Sequence, residues 1–432
     1  MRIRFRPALS VLALLVALAV ALPAGMAWPG SGLPPSQAEE KTFLPLVARR
    51  ALANAVYTVR QRFGIGVVRS SSWPGLLSDF DNVEQLGFGW YTDWTYQTYP
   101  QQPPGIEFVQ LVAVYSGSSP QGARGLSAWQ PLSWPSNSAG LQAAIEANPG
   151  ALWVIGNEPE TRGQGELAPE EYADIYHDVY YFVKSIDPTA RVAIAGVVMP
   201  SPLRLQWLDR CLDHYEQTYG GETMPIDVWN IHMQILQEHE CSWGCGIPYG
   251  LFDPDDGVCT EGRPYGRDGN EPDVEHPYSD NCSVPIFQQL VTEFCTWLNE
   301  KGERGKPVII TEYGVLLPSE YFSWSGTLPE RIADGDRKVV EFMQGTFDYM
   351  LHTTDPVLGW AADGGRLTQR WAWFSLNMPP CLEYDPKDPD YCLEFGYNGW
   401  LYDWEVADDL TEFGEAYRDY ILSQATPTPT PP

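Results

Sequence analysis

Trp153-Val154-Ile155-Gly156-Asn157-Glu158-Pro159-Glu160 is an apolar run that stops abruptly at an amide and a carboxylate. The proline that follows has no backbone N–H to donate, so a strand ladder cannot continue past it. The stretch predicts a buried strand that delivers Asn157 and Glu158 to its carboxyl end.

A second stretch of the same build, Val308-Ile309-Ile310-Thr311-Glu312-Tyr313-Gly314, again ends an apolar run at a glutamate. Two carboxylates at the same end of parallel strands suit the hydrolysis of a glycosidic bond: one protonates the leaving oxygen, and the other attacks or activates water. A salt-bridged strand end is the alternative for either residue alone, but its occurrence twice favours chemistry for Glu158 and Glu312.

Around these two strands, apolar runs alternate with helical patterns. Candidate strands are 63–68, 88–95, 108–115, 152–157, 192–196, 228–233, 308–312 and 371–376, and helical periodicity covers about 169–186, 203–219, 284–301, 332–352 and 408–423. Strand, helix, strand at this cadence demands parallel pairing with helices outside, and eight such units close a (β/α)₈ TIM barrel. Active sites of that fold sit at the carboxyl ends of the strands, where Glu158 ends the fourth and Glu312 the seventh. A doubly wound open sheet would give two such distant glutamates no reason to converge.

The connection after the sixth strand is too long for a turn and a helix, so it carries an excursion at about 236–283 on the active-site face. Four of the chain's 8 cysteines, Cys241, Cys245, Cys259 and Cys282, fall there; Cys381 and Cys392 bracket a segment after the last strand. The spacing from Cys241 to Cys245 and onward does not match a zinc ribbon, so a disulfide-stapled loop is expected and no metal. Cys211 and Cys295, on consecutive helices, either meet or remain buried thiols. The acidic residues Asp253, Asp255, Asp256, Asp268 and Asp273 fail EF-hand spacing and read as a solvated face.

Arg2, Arg4 and Arg6 precede an apolar run from Ala8 to Leu22 and small residues to Ala27, the build of a cleaved secretory leader over residues 1–27. Residues 28–60 form a lead-in, 61–424 the catalytic barrel, and 425–432 a Thr/Pro-rich tether. The expected location is secreted, or extracellular. With 27 Lys+Arg against 56 Asp+Glu, a net of −29 repels nucleic acid and anionic membranes, so neither is expected as a partner once the leader is removed. Aromatics at 13%, including 17 Trp and 23 Tyr, exceed what a core needs and suit sugar faces.

With Asn157-Glu158-Pro159 and Thr311-Glu312-Tyr313-Gly314 on strands four and seven, the chain resembles the clan A glycoside hydrolases, retaining enzymes on (β/α)₈ barrels. Within that clan it looks most like the glycosyl hydrolase catalytic-core group that includes endo-β-1,3-glucanases. Trp-Tyr-Thr-Asp-Trp at 90–94, Gly156 to Pro159, Asp227 to His232 and Arg370 to Phe374 carry this likeness.

The resemblance implies Glu158 as acid/base, Glu312 as nucleophile, and Asn157 bonded to the hydroxyl beside the reacting carbon. It places His232 on the cleft near the pair and Trp373 beneath the attacked sugar; Trp94 is a further candidate for substrate binding. One departure stands out: clan members often set an arginine beside the nucleophile from strand two, and residues 88–95 hold none. The expected protein is a monomeric retaining hydrolase of β-linked polysaccharide or oligosaccharide, β-1,3-glucan foremost, with no cofactor. The alternative is a carbohydrate-binding cell-surface barrel that has lost turnover.

Overall fold

The structure, a computed structural model, describes residues 57–70, 74–116, 138–238, 245–251, 279–378, 381–385, 388–395, 397–403 and 409–425. It is an α/β fold on parallel sheet. The strands are β1 (Phe63–Gly66), β2 (Trp90–Thr92), β3 (Glu107–Phe108), β4 (Gln110–Val112), β5 (Leu152–Asn157), β6 (Arg191–Gly196), β7 (Trp229–His232), β8 (Val308–Tyr313) and β9 (Arg370–Trp373). One sheet has the order β3-β2-β1-β9-β8-β7 and another β4-β5-β6, with every pairing parallel.

Main-chain contacts join the two sheets at both margins. Only Val109 separates β3 from β4, and its N–H donates to Tyr91 O at 2.9 Å. At the other margin Ala193 and Val228 form a parallel bridge. The strand expected at 108–115 is therefore two short ones, and the remaining seven expected strands overlap β1, β2 and β5 to β9.

Side-chain alternation divides the apolar residues into two groups. Trp90, Val109, Leu111, Leu152, Val154, Ala193, Val228, Ile309 and Ala372 pack together on one face of the strands. Their sequence neighbours, Tyr91, Val112, Trp153, Ile155, Ile194, Trp229, Ile310 and Trp371, pack into the larger layer beneath the helices. On the first face β1 contributes Gly64, where an added Cβ would lie 2.3 Å from the Trp90 ring. A glycine there makes room for the indole.

Helices α1 (Ser138–Ala147), α2 (Pro169–Ile186), α3 (Pro202–Thr218), α4 (Val284–Glu300), α5 (Leu328–His352) and α6 (Glu412–Ala425) lie between or after the strands. Their starts follow from local chemistry. Ser201 and Ser283 accept hydrogen bonds from the N–H groups of Arg204 and Ile286, with proline in the first turn of each helix. In α2, Tyr172, Tyr176, Val179 and Val183 recur at helical spacing and are all buried, which fixes the face turned to the sheet. Among the described residues no helix is long and apolar enough to cross a membrane.

The expected disulfide staple is not seen where the cysteines are described. Cys245 is a buried free thiol packed with Val198 and Met199, and Cys211 and Cys295 are buried free thiols as well. Burial pushes the Cys245 and Cys295 thiols up to about 12, so they behave as small apolar groups. Cys241, Cys259 and the acidic loop residues lie outside the described residues. The segment bracketed by Cys381 and Cys392 is an antiparallel hairpin of β10 (Cys381–Asp385) and β11 (Asp388–Phe395).

Candidate active site

Glu158 owes its position to a distortion at the end of β5. Gly156 has φ 95°, which glycine alone adopts freely, and a Cβ there would lie 2.8 Å from Val114 Cγ2. Where the β5–β6 ladder is disturbed, the Tyr172 hydroxyl donates to Ile155 O and accepts from Ala195 N–H, both at 2.8 Å. Glu158 itself sits at φ 41°, and its N–H donates to Gly196 O at 3.0 Å. Non-glycine residues in this region cluster at functional sites, where surrounding contacts hold the strain.

Glu312, in β8, meets Glu158 across the His232 side chain of β7. One ligand atom each from Glu158, His232 and Glu312 lies within 4.8 Å of the others. His232 Nδ1 is 3.0 Å from Glu158 Oε1 and 3.8 Å from Glu312 Oε2. On its other side Nε2 lies 3.1 Å from Thr311 Oγ1. The Thr311 hydroxyl donates to Asn230 Oδ1 at 3.0 Å, and the Thr311 N–H reaches the same oxygen at 3.2 Å.

That chain assigns the tautomer. Thr311 spends its hydroxyl proton on Asn230, so its oxygen accepts from His232 Nε2–H. Burial lowers the His232 pKa, outweighing the pull of Glu312 and Glu160, so the ring is neutral and Nδ1 carries a lone pair. This lone pair faces Glu158 Oε1, which must then supply the proton.

Two ionised carboxylates within 4.8 Å repel by about 3 kcal/mol or more at an effective dielectric of about 20. One proton between them removes that cost. Burial first, then the charge of Glu160, raises Glu158 to about 8, with Arg204 opposing. Burial, and then the neighbouring Glu158, raises Glu312 to about 7, opposed by a hydrogen bond from Gln234 Nε2 at 3.0 Å and by Trp94. Trp94 Nε1 faces Glu312 without reaching full hydrogen-bond geometry. The two titrate as a coupled pair, with the proton resting on Glu158.

Both acids open onto a cavity of about 480 Å³ whose wall includes Arg69, Trp94, Asn157, Gln234, Phe374 and Tyr397. Trp94 and Phe374 pack edge to face at 5.4 Å, and Tyr397 packs on Phe374 at 5.5 Å. Partial burial and the two carboxylates push the Tyr397 hydroxyl up to about 12. Asn157 Oδ1 and Gln234 Oε1 are buried without a hydrogen-bond partner.

The structure thus gathers Glu158, Glu312, Asn157, His232 and Trp94. His232 is 1% exposed and stands behind the acids rather than on the cavity wall. Trp373 is not part of the site. Strand alternation turns it outward, where it is wholly buried against Tyr313, Phe342 and Phe347 and donates to Gly399 O at 2.7 Å. Phe374, one residue on, faces the cavity instead.

The cation question is answered by residues outside strand two. Glu312 is held by the Gln234 amide rather than by a cation, and Arg69, beyond β1, reaches the cavity wall paired to Asp93 at 2.7 Å. Glu160 is wholly buried: it accepts from Arg204 Nε at 2.8 Å and from Val198 N–H at 2.9 Å. Arg204 also pairs with Glu238 and donates to Cys245 O, tying the chain beyond β7 to the end of β5. No sequence pattern marks these pairings, since the partners lie far apart in the chain.

No protein-family profile matches the chain, and neither does any curated protein. Solved structures of similar shape include a GH128 subgroup II endo-β-1,3-glucanase from Pseudomonas viridiflava, at 15% identity, 84% of this chain, 97% of that one and TM-score 0.45. A GH128 subgroup I endo-β-1,3-glucanase from Amycolatopsis mediterranei, in complex with laminaripentaose, matches at 15% identity, 83% and 98% coverage, and TM-score 0.42. A GH128 subgroup VII oligosaccharide-binding protein from Trichoderma gamsii matches at 10% identity, 86% and 99% coverage, and TM-score 0.43. At such scores the likeness carries no argument about this chain, whose chemistry rests on its own residues.

Proposed function

We propose that this chain is a retaining glycoside hydrolase on a (β/α)₈ barrel, acting on β-linked polysaccharide, with β-1,3-glucan the leading substrate. The observation that carries the reading is the pair Glu158 and Glu312, with oxygens within 4.8 Å and pKa values near 8 and 7. Carboxyl groups about 5 Å apart leave no space for an attacking water between them and the sugar, which favours double displacement. The substrate rests on the sequence resemblance, and the aromatic wall of Trp94, Phe374 and Tyr397 suits sugar faces.

In the first step Glu158 gives its proton to the glycosidic oxygen as the C1–O bond breaks, and the bonding pair leaves with the alcohol. A Glu312 oxygen bonds C1 to form a glycosyl ester. With the Glu312 charge consumed, its repulsion no longer opposes a charge on Glu158, so Glu158 now accepts a proton from water. The water oxygen bonds C1, and the ester pair returns to Glu312.

The proposal extends to a leader at 1–27, a lead-in at 28–60, a catalytic domain at 61–424, a tether at 425–432, secretion, and action as a monomer. Its test is the variants Glu158→Ala and Glu312→Ala, assayed for new reducing ends on β-1,3-glucan, other β-glucans, xylan and mannan. Each is expected to abolish hydrolysis; a Glu312→Ala protein with near-normal turnover contradicts the assignment.

A further inference from the structure

Gln234 stands two residues beyond β7, 1% exposed and on the cavity wall. Only one end of its side chain is used. Nε2 donates to Glu312 Oε1 at 3.0 Å, whereas Oε1 is buried and has no hydrogen-bond partner. The ends cannot be exchanged, because a carboxylate only accepts: the amide must turn its NH₂ to Glu312 and its oxygen away. Buried acceptors without a donor are costly and rare, so this one calls for a donor the protein does not supply. Asn157 Oδ1, on the same wall, is in the same condition.

Sugar hydroxyls are such donors. Resting on the glycosidase reading above, we infer that Gln234 is a positioning and specificity residue. Its Oε1 accepts the O–H of one hydroxyl on the sugar under attack, while its Nε2 holds Glu312 aimed at C1. A single planar amide performs both tasks, so seating the sugar and aiming the nucleophile are one event. Before substrate arrives a water serves the oxygen, and the hydroxyl displaces it.

The test uses the full chain with 4-nitrophenyl β-laminaribioside and its monodeoxy analogues at positions 2, 4 and 6 of the sugar bearing the nitrophenyl group. kcat and KM are measured for wild type, Gln234→Met and Gln234→Glu. In wild type one analogue is expected to lose roughly tenfold or more in kcat/KM. That penalty should shrink below about twofold in Gln234→Met, which has no acceptor, and persist in Gln234→Glu, which keeps one. The glutamate variant should also move the acidic limb of the pH profile upward, because Glu312 exchanges a donor for a neighbouring charge.

Equal deoxy penalties in wild type and Gln234→Met overturn the inference and leave the glycosidase reading standing. A wild-type chain that cleaves neither the parent glycoside nor any β-glucan, xylan or mannan overturns that reading, and this inference with it.

Discussion

His232 Nδ1 lies 3.0 Å from Glu158 Oε1, and the Thr311 oxygen behind the ring fixes that nitrogen as an acceptor. A histidine held in this tautomer stabilises the protonated form of the acid. The kcat/KM profile should be a narrow bell, with its alkaline limb set mainly by Glu158 near 8 and its acidic limb mainly by Glu312 near 7.

Thr311→Val removes the acceptor for Nε2–H. The proton is then free to move to Nδ1, where it donates to Glu158 and favours the ionised carboxylate. The alkaline limb should shift to lower pH while the fold is retained. Measured pH profiles of the two proteins check this; an unchanged alkaline limb contradicts the tautomer assignment.

Stability carries the same signature with a definite sign. Glu158 has a folded pKa raised to about 8 from about 4.5, so the folded state keeps a proton that the unfolded chain has released. Its contribution is fully present below about pH 4.5 and is lost as pH rises to about 8. Glu158→Gln removes the dependence. The variant should gain on wild type across that window, reaching a few kcal/mol at the upper end by order of magnitude. Urea unfolding at pH 4, 6 and 8 measures the difference, and a gap that stays constant contradicts the burial account.

Gly196 gives His232 its space, since an added Cβ would lie 2.2 Å from the ring Cδ2. Gly196→Ala should push the ring off Glu158 and lower kcat by about 100-fold, the scale of a displacement near 1 Å, with a smaller change in KM. Steady-state kinetics decide the matter; normal kcat would mean that the ring position is immaterial.

Trp373 and Trp94 should separate cleanly. Trp373→Phe loses packing and the bond to Gly399, so it should lower stability by about 1–3 kcal/mol and leave KM unchanged. Trp94→Ala removes part of the cavity wall and should raise KM. Thermal unfolding and KM measured on both variants test whether Trp373 serves the fold and Trp94 the cavity.

The sequence made most of the strands and helices legible, because apolar runs bounded by polar punctuation keep their period whatever surrounds them. It also exposed Glu158 and Glu312, since a carboxylate is costly to hold at the end of a buried apolar strand and is seldom placed there twice without a chemical task. Trp373 is the exception: two tryptophans and a phenylalanine in near alternation offer no sign of which face turns inward, and only the packing of Trp371 and Trp373 beneath the helices settles it. Gln234 and Thr311 carry no signal beyond lying near a strand end. The Glu160–Arg204–Glu238 network joins residues from three segments, which only the fold brings together.

The central claim is that Glu158 and Glu312 act from opposite sides of one sugar carbon by double displacement. Proton NMR of a β-1,3-glucan oligosaccharide during its first minutes of hydrolysis, before mutarotation, tests this most directly. The account predicts that the new reducing end appears first as the β-anomer. First appearance of the α-anomer would contradict it.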